Sequence, residues 1–561
     1  MAKKELRDET GKRIHPYVPE LCDQLRSGAC DRREFLRTAT LLGVSSAVAY
    51  SMAGSILGEE APVKQAAAQE PKMGGTLRSA MRVQRMDDPA TYDWTEMSNQ
   101  TRAICEYLTI TGTDNITRPY LAESWEASDD LKTWTFNLRQ GIKWSNGDDF
   151  NADDVIHNFT RWLDPEVGSS NIGLFGGLVE ETADGKKKMR EGAIERVDDH
   201  TVRLHLSSPE LAVPENLYSY PAAIVHRGFG VDYPANLAEN PIGTGPFTLA
   251  EFRVGEICRL QKKADYWGGE PYLDEIMYVD TGDDPSARVA ALASGQVDHV
   301  YEVDISAIDL VERIPNAVLH EAVTAQTGVA RMRVTEPPFD NLKVRQAVVA
   351  CMNHAKVLEV AYRGRGRVGE NHHVCPIHPE YFELPALKRD VEKAKALLEE
   401  SGVELPLRLK LDLGQADAWH LAAMQEFKQQ LEPAGIVLEL NPMPGATYWE
   451  VWDKTPFGFT SWTHRPLGVM VLNLGYKSGV PWNESNYSNP EFDAALADAS
   501  ATLDVAERRK KMEKVEKILQ DDAVIAQPLW RSIFSATTDK VKGYELHPTF
   551  YHQFHKVWLD A

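Results

Sequence analysis

Cysteine is scarce in this chain, six in 561 residues, and no two stand in the C-x-x-C spacing of a zinc ribbon or a redox pair. Cys22 and Cys30 fall in the N-terminal stretch; Cys105, Cys258, Cys351 and Cys375 are too scattered to mark a metal site, and the expectation for them is buried thiols. There is no H-E-x-x-H, no G-x-S-x-G elbow and no dinucleotide fingerprint, which needs a strand before its glycines and a helix after them. Hydrolases and dehydrogenases of the common kinds are thereby set aside. Positive charge is also short: 61 Lys and Arg face 83 Asp and Glu, a net charge of -22. Residues 1–70 hold ten acidic and ten basic side chains, so the whole deficit belongs to the rest, and nucleic acid is excluded as a partner. Beyond residue 70 no apolar run is long enough to cross a bilayer, and no period of 20 to 50 residues signals a solenoid.

What is present begins with Asp31-Arg32-Arg33-Glu34-Phe35-Leu36-Arg37, directly before 21 uncharged residues from Thr38 to Gly58. A cationic segment leading into an apolar run diluted by Ala, Ser and Gly reads as an export signal, and the paired arginines resemble the bacterial twin-arginine type, which carries folded proteins. Small-residue cleavage sites follow at Ala47-Val48-Ala49 and Ala66-Ala67-Ala68. An uncleaved anchor is the other reading of the same run, and no cysteine follows it to carry a lipid. The expected compartment is the periplasm, with the twin-arginine translocase as a partner during export. The remaining stretch, 43% hydrophobic like the chain overall, is long enough for two or more domains.

Strand and helix signals then alternate. Trp134 to Arg139 has the period-two pattern of a half-buried strand, and Asn146-Gly147 marks a turn. Asn151 is placed to cap a helix through Ala152-Asp153-Asp154-Val155. Asp284-Pro285 opens a helix that Gly295 stops, and Asp390 opens one from Val391 to Ser401 that Gly402 stops. Leu407 to Leu411 reads as a strand, Asp417 to Glu432 as a helix, and Pro490 to Asp521 as mostly helical. Such interleaving predicts an α/β architecture.

On this background a resemblance becomes specific. Leu121-Ala122-Glu123-Ser124-Trp125, then Asp130 to Arg139, Gly141 to Gly147 and Phe150 to Val155 follow one another in an order similar to the signature of extracellular solute-binding protein family 5, the peptide- and nickel-type receptors of ABC importers. Asn240-Pro241-Ile242-Gly243-Thr244-Gly245-Pro246-Phe247, Ala264-Asp265-Tyr266-Trp267, Pro338 to Ala347 and Val541-Lys542-Gly543-Tyr544 extend it over about residues 72–561. The resemblance implies a periplasmic-binding-protein-like fold with two lobes and a third domain (class II, cluster C). Its boundaries would be 1–70 for signal and linker, 71–115, 240–326 and 526–561 for lobe I, 116–239 for the extra domain and 327–525 for lobe II. A monomer that closes on a small-molecule solute and hands it to an ABC permease and ATPase complex is implied, with no catalytic residue, cofactor or resident metal. The motif glycines Gly243 and Gly245 are expected to provide backbone room, and Trp134, Trp144 and Trp267 to pack the body rather than touch solute.

Solute contacts are expected where lobe II faces the cleft. In peptide binders of the family the segment matching Ser461-Trp462-Thr463-His464-Arg465 carries an aspartate for the peptide's α-ammonium; here the matching place is Arg465. A guanidinium repels an ammonium group and grips a carboxylate or phosphate, so two readings stand: Arg465 binds an anionic part of the solute beside Trp462, Thr463 and His464, or it forms an internal ion pair. Asn371-His372-His373-Val374-Cys375-Pro376-Ile377-His378 offers imidazoles and a thiol, which suit a metal or metal chelate, contact with an organic solute through His372 and His373, or plain loop packing. Tyr448, Trp449 and Trp452 can line the cleft, although near-helical spacing fits packing equally well. Arg363-Gly364-Arg365-Gly366-Arg367 reads as a solvated turn, lacking the ending of a phosphate loop. The leading function is a receptor for a peptide-like or other small polar organic solute; the alternatives are a nickel or metal-chelate receptor, an exported metalloenzyme built on the histidine loop, and a receptor that senses rather than transports.

Overall fold

The computed structural model describes residues 14–57, 70–182, 185–282, 284–414 and 418–560. Local signals in the sequence set the elements as expected. Asn151 accepts from the Asp153 N–H while the Asp154 carboxylate reaches back to the Asn151 N–H, a reciprocal cap that starts the helix Ala152–Trp162. Asp284 and Asp390 cap the helices Pro285–Ala293 and Val391–Ser401 through side-chain oxygens, and Gly295 and Gly402 follow them in left-handed backbone. The helix predicted from Asp417 runs Ala418–Leu431, with Asp417 itself outside the described residues, and the stretch after Pro490 is two helices, Pro490–Ser500 and Val505–Asp521.

The central sheet has twelve strands. Its middle is a pair of long antiparallel strands, Ala317–Met332 and Leu529–Thr538, in register from Ala317 opposite Thr538 to Thr327 opposite Trp530 with an irregularity between Val323 and Gln326. The first half of Ala317–Met332 is partly exposed, whereas every residue from Thr324 to Met332 is buried, the change expected when a ribbon runs into a sheet covered on both faces. On one side stand His299–Val300, Thr76–Ala80, Glu275–Val279, Ile257–Lys262 and Phe247–Arg253; on the other stand Phe457–Trp462, Leu407–Gly414 and Ile436–Met443. The central pair thus joins two groups of strands, called lobe I and lobe II below. A separate four-stranded sheet, Ala122–Ala127, Thr133–Leu138, Thr201–His205 and Ile194–Asp198, carries the helix Ala152–Trp162. As expected of packing residues, Trp134 and Trp144 are fully buried, the Trp144 indole donates to Asp154 at 3.1 Å, and that of Trp267 donates to Glu106 at 2.8 Å.

The N-terminal segment folds onto this body. Helices Val18–Ser27, Arg32–Leu41 and Ser46–Leu57 enclose a small apolar cluster around Leu21, Phe35, Leu36 and Ala39 that takes in Ile116 and Val505 from the body. The Trp125 indole donates to the Leu41 carbonyl at 2.8 Å, and a Cβ at Gly43 would stand 2.3 Å from the Trp125 carbonyl oxygen, so only glycine lets the chain pass there. Glu34, buried beneath, sits 3.4 Å from both Arg37 and Arg508. Among the described residues no helix is long and apolar enough to cross a membrane.

The four cysteines of the body are free and buried, and burial pushes each thiol up to about 12. Gly243 and Gly245 do not adopt left-handed backbone; their constraint is close approach, since a Cβ would lie 2.0 Å from the Ile104 carbonyl oxygen at Gly243 and 2.5 Å from that of Ala103 at Gly245. Overpacking against backbone cannot be relieved by a rotamer change. Gly243→Ala or Gly245→Ala is therefore predicted to lower stability by about 1–3 kcal/mol in urea unfolding, whereas Gly295→Ala, where no atom lies within 4 Å, costs only its left-handed backbone preference.

Candidate functional site

Strand Phe457–Trp462 enters the sheet because it is almost entirely buried, and its continuation Thr463-His464-Arg465 leaves the sheet edge facing lobe I. Asp93-Trp94, just before the helix Thr95–Arg102, and Tyr218 to Tyr220, just after the short helix Val213–Asn216, meet it from the opposite side. Two adjoining chambers result, each of about 20 Å³. The first is walled by aromatic rings: Trp94 lies 5.7 Å from Trp449 across the lobes, Tyr220 lies 6.0 Å from Trp482, and Trp452 and Trp462 stand 6.2 and 6.0 Å from Trp482. The second carries more polar side chains, Asn115, Glu215, His464, Arg465 and His547 among them, beside Tyr551.

A buried ion pair holds the aromatic wall. Arg331, on the central strand, is 3.1 Å from Glu484 and also donates to the carbonyls of Thr455 and Trp452. Glu484 in turn accepts from the Trp462 indole at 2.8 Å and from Thr460 at 2.5 Å, and Thr460 meets the Tyr448 hydroxyl at 2.8 Å. Each polar atom has a partner, so the charges are tolerated out of water and fix the indole's direction. Tyr448 thus serves the wall from behind: it sits in the short helix Gly445–Trp449, whose last residue, Trp449, faces the chamber.

Arg465 is buried, and among the described residues no carboxylate forms an ion pair with it. One terminal nitrogen donates to Thr463 Oγ1 and to the His464 carbonyl, the guanidinium lies 5.3 Å from the Tyr220 ring centroid, and Nε has no hydrogen-bond acceptor. Glu215 lines the same chamber with both carboxylate oxygens unpartnered; burial pushes its pKa up to about 8 against the pull of Arg37, so it is mostly protonated at neutral pH. His464 bridges the halves, accepting from the Ala325 N–H at 3.0 Å and meeting Asn115 Oδ1 at 3.0 Å. Burial holds its imidazole neutral. Arg102, closer to lobe I, stacks between aromatic rings with its guanidinium 3.5 Å from the Tyr551 centroid and 4.6 Å from that of Tyr218.

Of the residues singled out in the sequence, Trp462, Thr463, His464 and Arg465 come together at the chambers. His373 stands behind Trp462, its ring edge-on at 5.4 Å and its Nδ1 2.7 Å from the Tyr476 hydroxyl, and His372 lies deeper still, 3.7 Å from Glu516. Neither lines a chamber. The other ligand candidates are engaged in folding the loop: His378 accepts from the Cys375 N–H and meets the Arg465 carbonyl, both at 3.0 Å. Among the described residues no three His, Cys, Asp or Glu side chains are grouped to hold a metal ion. Sequence reasoning passed over Asp93, Trp94, Tyr220, Trp482, Glu484, Arg331 and Glu215; they come from four distant segments, and the cue was the richness in tryptophan, 13 residues, which does not say which of them meet.

Residues 117–497, more than half of the chain, match the family described as bacterial extracellular solute-binding proteins, family 5 Middle. Heme-binding protein A of Haemophilus influenzae is 28% identical over 474 residues, covering 79% of this chain and 84% of that protein. Di/tripeptide-binding protein 2 of Pseudomonas aeruginosa is 28% identical over 478 residues, covering 79% and 86%. Among solved structures, OppA of Haemophilus influenzae in complex with the peptide RPPGFSPFR superposes with a TM-score of 0.78 at 23% identity, over 88% of this chain and all of that one. The chain belongs to the family 5 solute-binding proteins, and its function is that of the substrate-binding component of an ABC importer.

The protonated Glu215 sets a pH signature. The unfolded chain releases this proton near 4.5 and the folded chain near 8, so the folded state binds more protons in between and stability falls as pH rises through that window. Glu215→Gln removes this slope: its melting temperature relative to the parent is predicted to improve steadily from pH 5 to pH 8, and a constant difference contradicts the assignment.

Proposed function

We propose that this family member is a periplasmic receptor that closes on a small polar organic solute bearing an anionic group, held by Arg465, and delivers it unchanged to a membrane permease. The observation that carries this reading is the buried guanidinium at the junction of the chambers: it has an unused donor and, among the described residues, no carboxylate in an ion pair with it. Holding a cation this way is costly unless something completes its hydrogen bonds, and a solute carboxylate or phosphate does so with favourable charge. The relatives named above bind di- and tripeptides or heme. The place that the resemblance gives to a peptide's ammonium carries a cation, Arg465. Peptides with a free N-terminus are therefore the disfavoured part of the family's range, and a peptide-like or amino-acid-derived anion is the favoured part.

The receptor works as a monomer and takes part in no reaction. Export follows the twin-arginine route: Arg32 and Arg33 stand at the surface end of the second N-terminal helix while Phe35 and Leu36 turn inward, an arrangement compatible with a translocase that accepts folded cargo. Two experiments test these statements. Mass spectrometry of the solute that co-purifies, followed by calorimetry, is predicted to show binding weakened roughly ten- to a hundredfold in Arg465→Ala, the loss of a hydrogen bond to a charged group; unchanged affinity removes Arg465 from the site. Replacing Arg32 and Arg33 together by lysine is predicted to leave the protein in the cytoplasm, and normal periplasmic recovery contradicts the route.

A further inference from the structure

We infer that the aromatic chamber is a receptor for an organic cation whose charge is spread over alkylated nitrogen, so that the solute as a whole is a compact zwitterion with its anionic end at Arg465. This deepens, and rests on, the reading of the protein as a solute receptor.

The rings supply the first reason. Trp125, Trp134, Trp144 and Trp162 are fully buried in the body, as expected where indoles serve only packing, but Trp94, Trp449, Trp452 and Trp482 remain partly exposed and converge on one space. They do not come from one element or one lobe. Trp94 and Tyr220 face the three indoles of Trp449, Trp452 and Trp482 across the cleft, so the cage is complete only when the halves meet. Packing alone gives no reason to bring four partly exposed indoles together at the mouth of a closing cleft.

The polar inventory supplies the second. Among the described residues the one acid on the wall is Asp93, a half-buried carboxylate whose pKa burial raises against the pull of Arg85, and a cation brought against it compensates the desolvated carboxylate by attraction. Other polar groups are already committed. The Trp462 indole and Thr460 donate to Glu484, and Thr463 accepts from Arg465. A sugar or a peptide amide needs several donors and acceptors on such a wall and finds few. A trimethylammonium-like group needs none, being held by ring faces and one carboxylate.

The third reason is the link between chambers. Arg465 lies against Tyr220, which lines the aromatic side, and donates to Thr463, which lines it too. An anion at Arg465 and a cation among the indoles are therefore neighbours, as the two ends of a small zwitterion are. The aromatic space is about 20 Å³ with the facing rings in contact, so a substituted nitrogen enters as the indoles of the two halves move apart.

The test uses the full chain stripped of co-purified solute, with glycine betaine and carnitine as probes and 3,3-dimethylbutanoate as the uncharged-carbon isostere of betaine. Saturable quenching of tryptophan fluorescence by the two trimethylated probes is expected, with the isostere binding at least about tenfold more weakly. Asp93→Asn and Trp452→Ala are expected to lose about tenfold or more in affinity for the trimethylated probes while keeping the parent's melting temperature. Equal binding of the isostere, or absence of quenching by either trimethylated probe, overturns the inference, and the isostere comparison needs no variant to fold. Identification of the co-purified solute separates the two levels: an anion without a cationic nitrogen overturns the cage and leaves the receptor standing, whereas failure of every solute to bind removes the receptor reading itself.

Discussion

The antiparallel pairing of Ala317–Met332 with Leu529–Thr538 is the constraint on which everything else depends, because it is the one ladder that belongs to both halves. It fixes where the strands of each lobe attach, and it carries Arg331 on the lobe II side and Arg531 on the partner strand, paired with Glu302 at 2.7 Å. From Arg331 the chain of contacts leads through Glu484 to Trp462 and through the Trp452 carbonyl to the aromatic wall. The hinge and the site are thus mechanically continuous. A rotation about the central strands would carry the lobe II indoles as one body relative to Trp94 and Tyr220, the kind of closure that places a solute in a desolvated space.

Desolvation also explains the division of the cleft. Aromatic faces and one carboxylate make the first chamber, while the second has a buried guanidinium, a protonated glutamic acid and neutral imidazoles. Charges in the second chamber are few and incompletely paired, which suits a ligand that completes them; charges behind the first are fully paired, which suits a rigid wall. The same physics keeps the histidine loop out of the site: His373 and His378 are spent on Tyr476 and on the backbone, so the residues that looked most like ligands in the sequence shape the floor on which Trp462 and Arg465 rest.

Much of the fold was legible in the sequence because its signals are local. Caps at Asn151, Asp284 and Asp390, the stops at Gly295 and Gly402, and the alternation of Trp134 to Leu138 each act within a few residues. The family motifs added the lobe arrangement that such signals cannot give. Arg465, with Trp462 to His464, was legible because it stands where the resemblance placed a ligand group. Asp93, Tyr220 and Trp482 were not, since nothing in their own neighbourhoods distinguishes them from packing residues, and they meet only through long-range closure. The reason for Gly243 and Gly245 was half legible: both leave room, but the obstacle is the carbonyls of Ile104 and Ala103, far away in sequence, rather than backbone conformation. Nor did the uncharged run after Arg37 announce that, as far as Leu57, it would be divided between two helices and packed against Trp125.

The central claim is that two halves joined by one pair of strands enclose the solute. Small-angle X-ray scattering of the full chain, stripped of solute and then saturated with the co-purifying one, tests it directly. A smaller radius of gyration on saturation, reversed on removal of the solute, is predicted; an identical scattering profile in the two states, with binding demonstrated in the same sample, contradicts it.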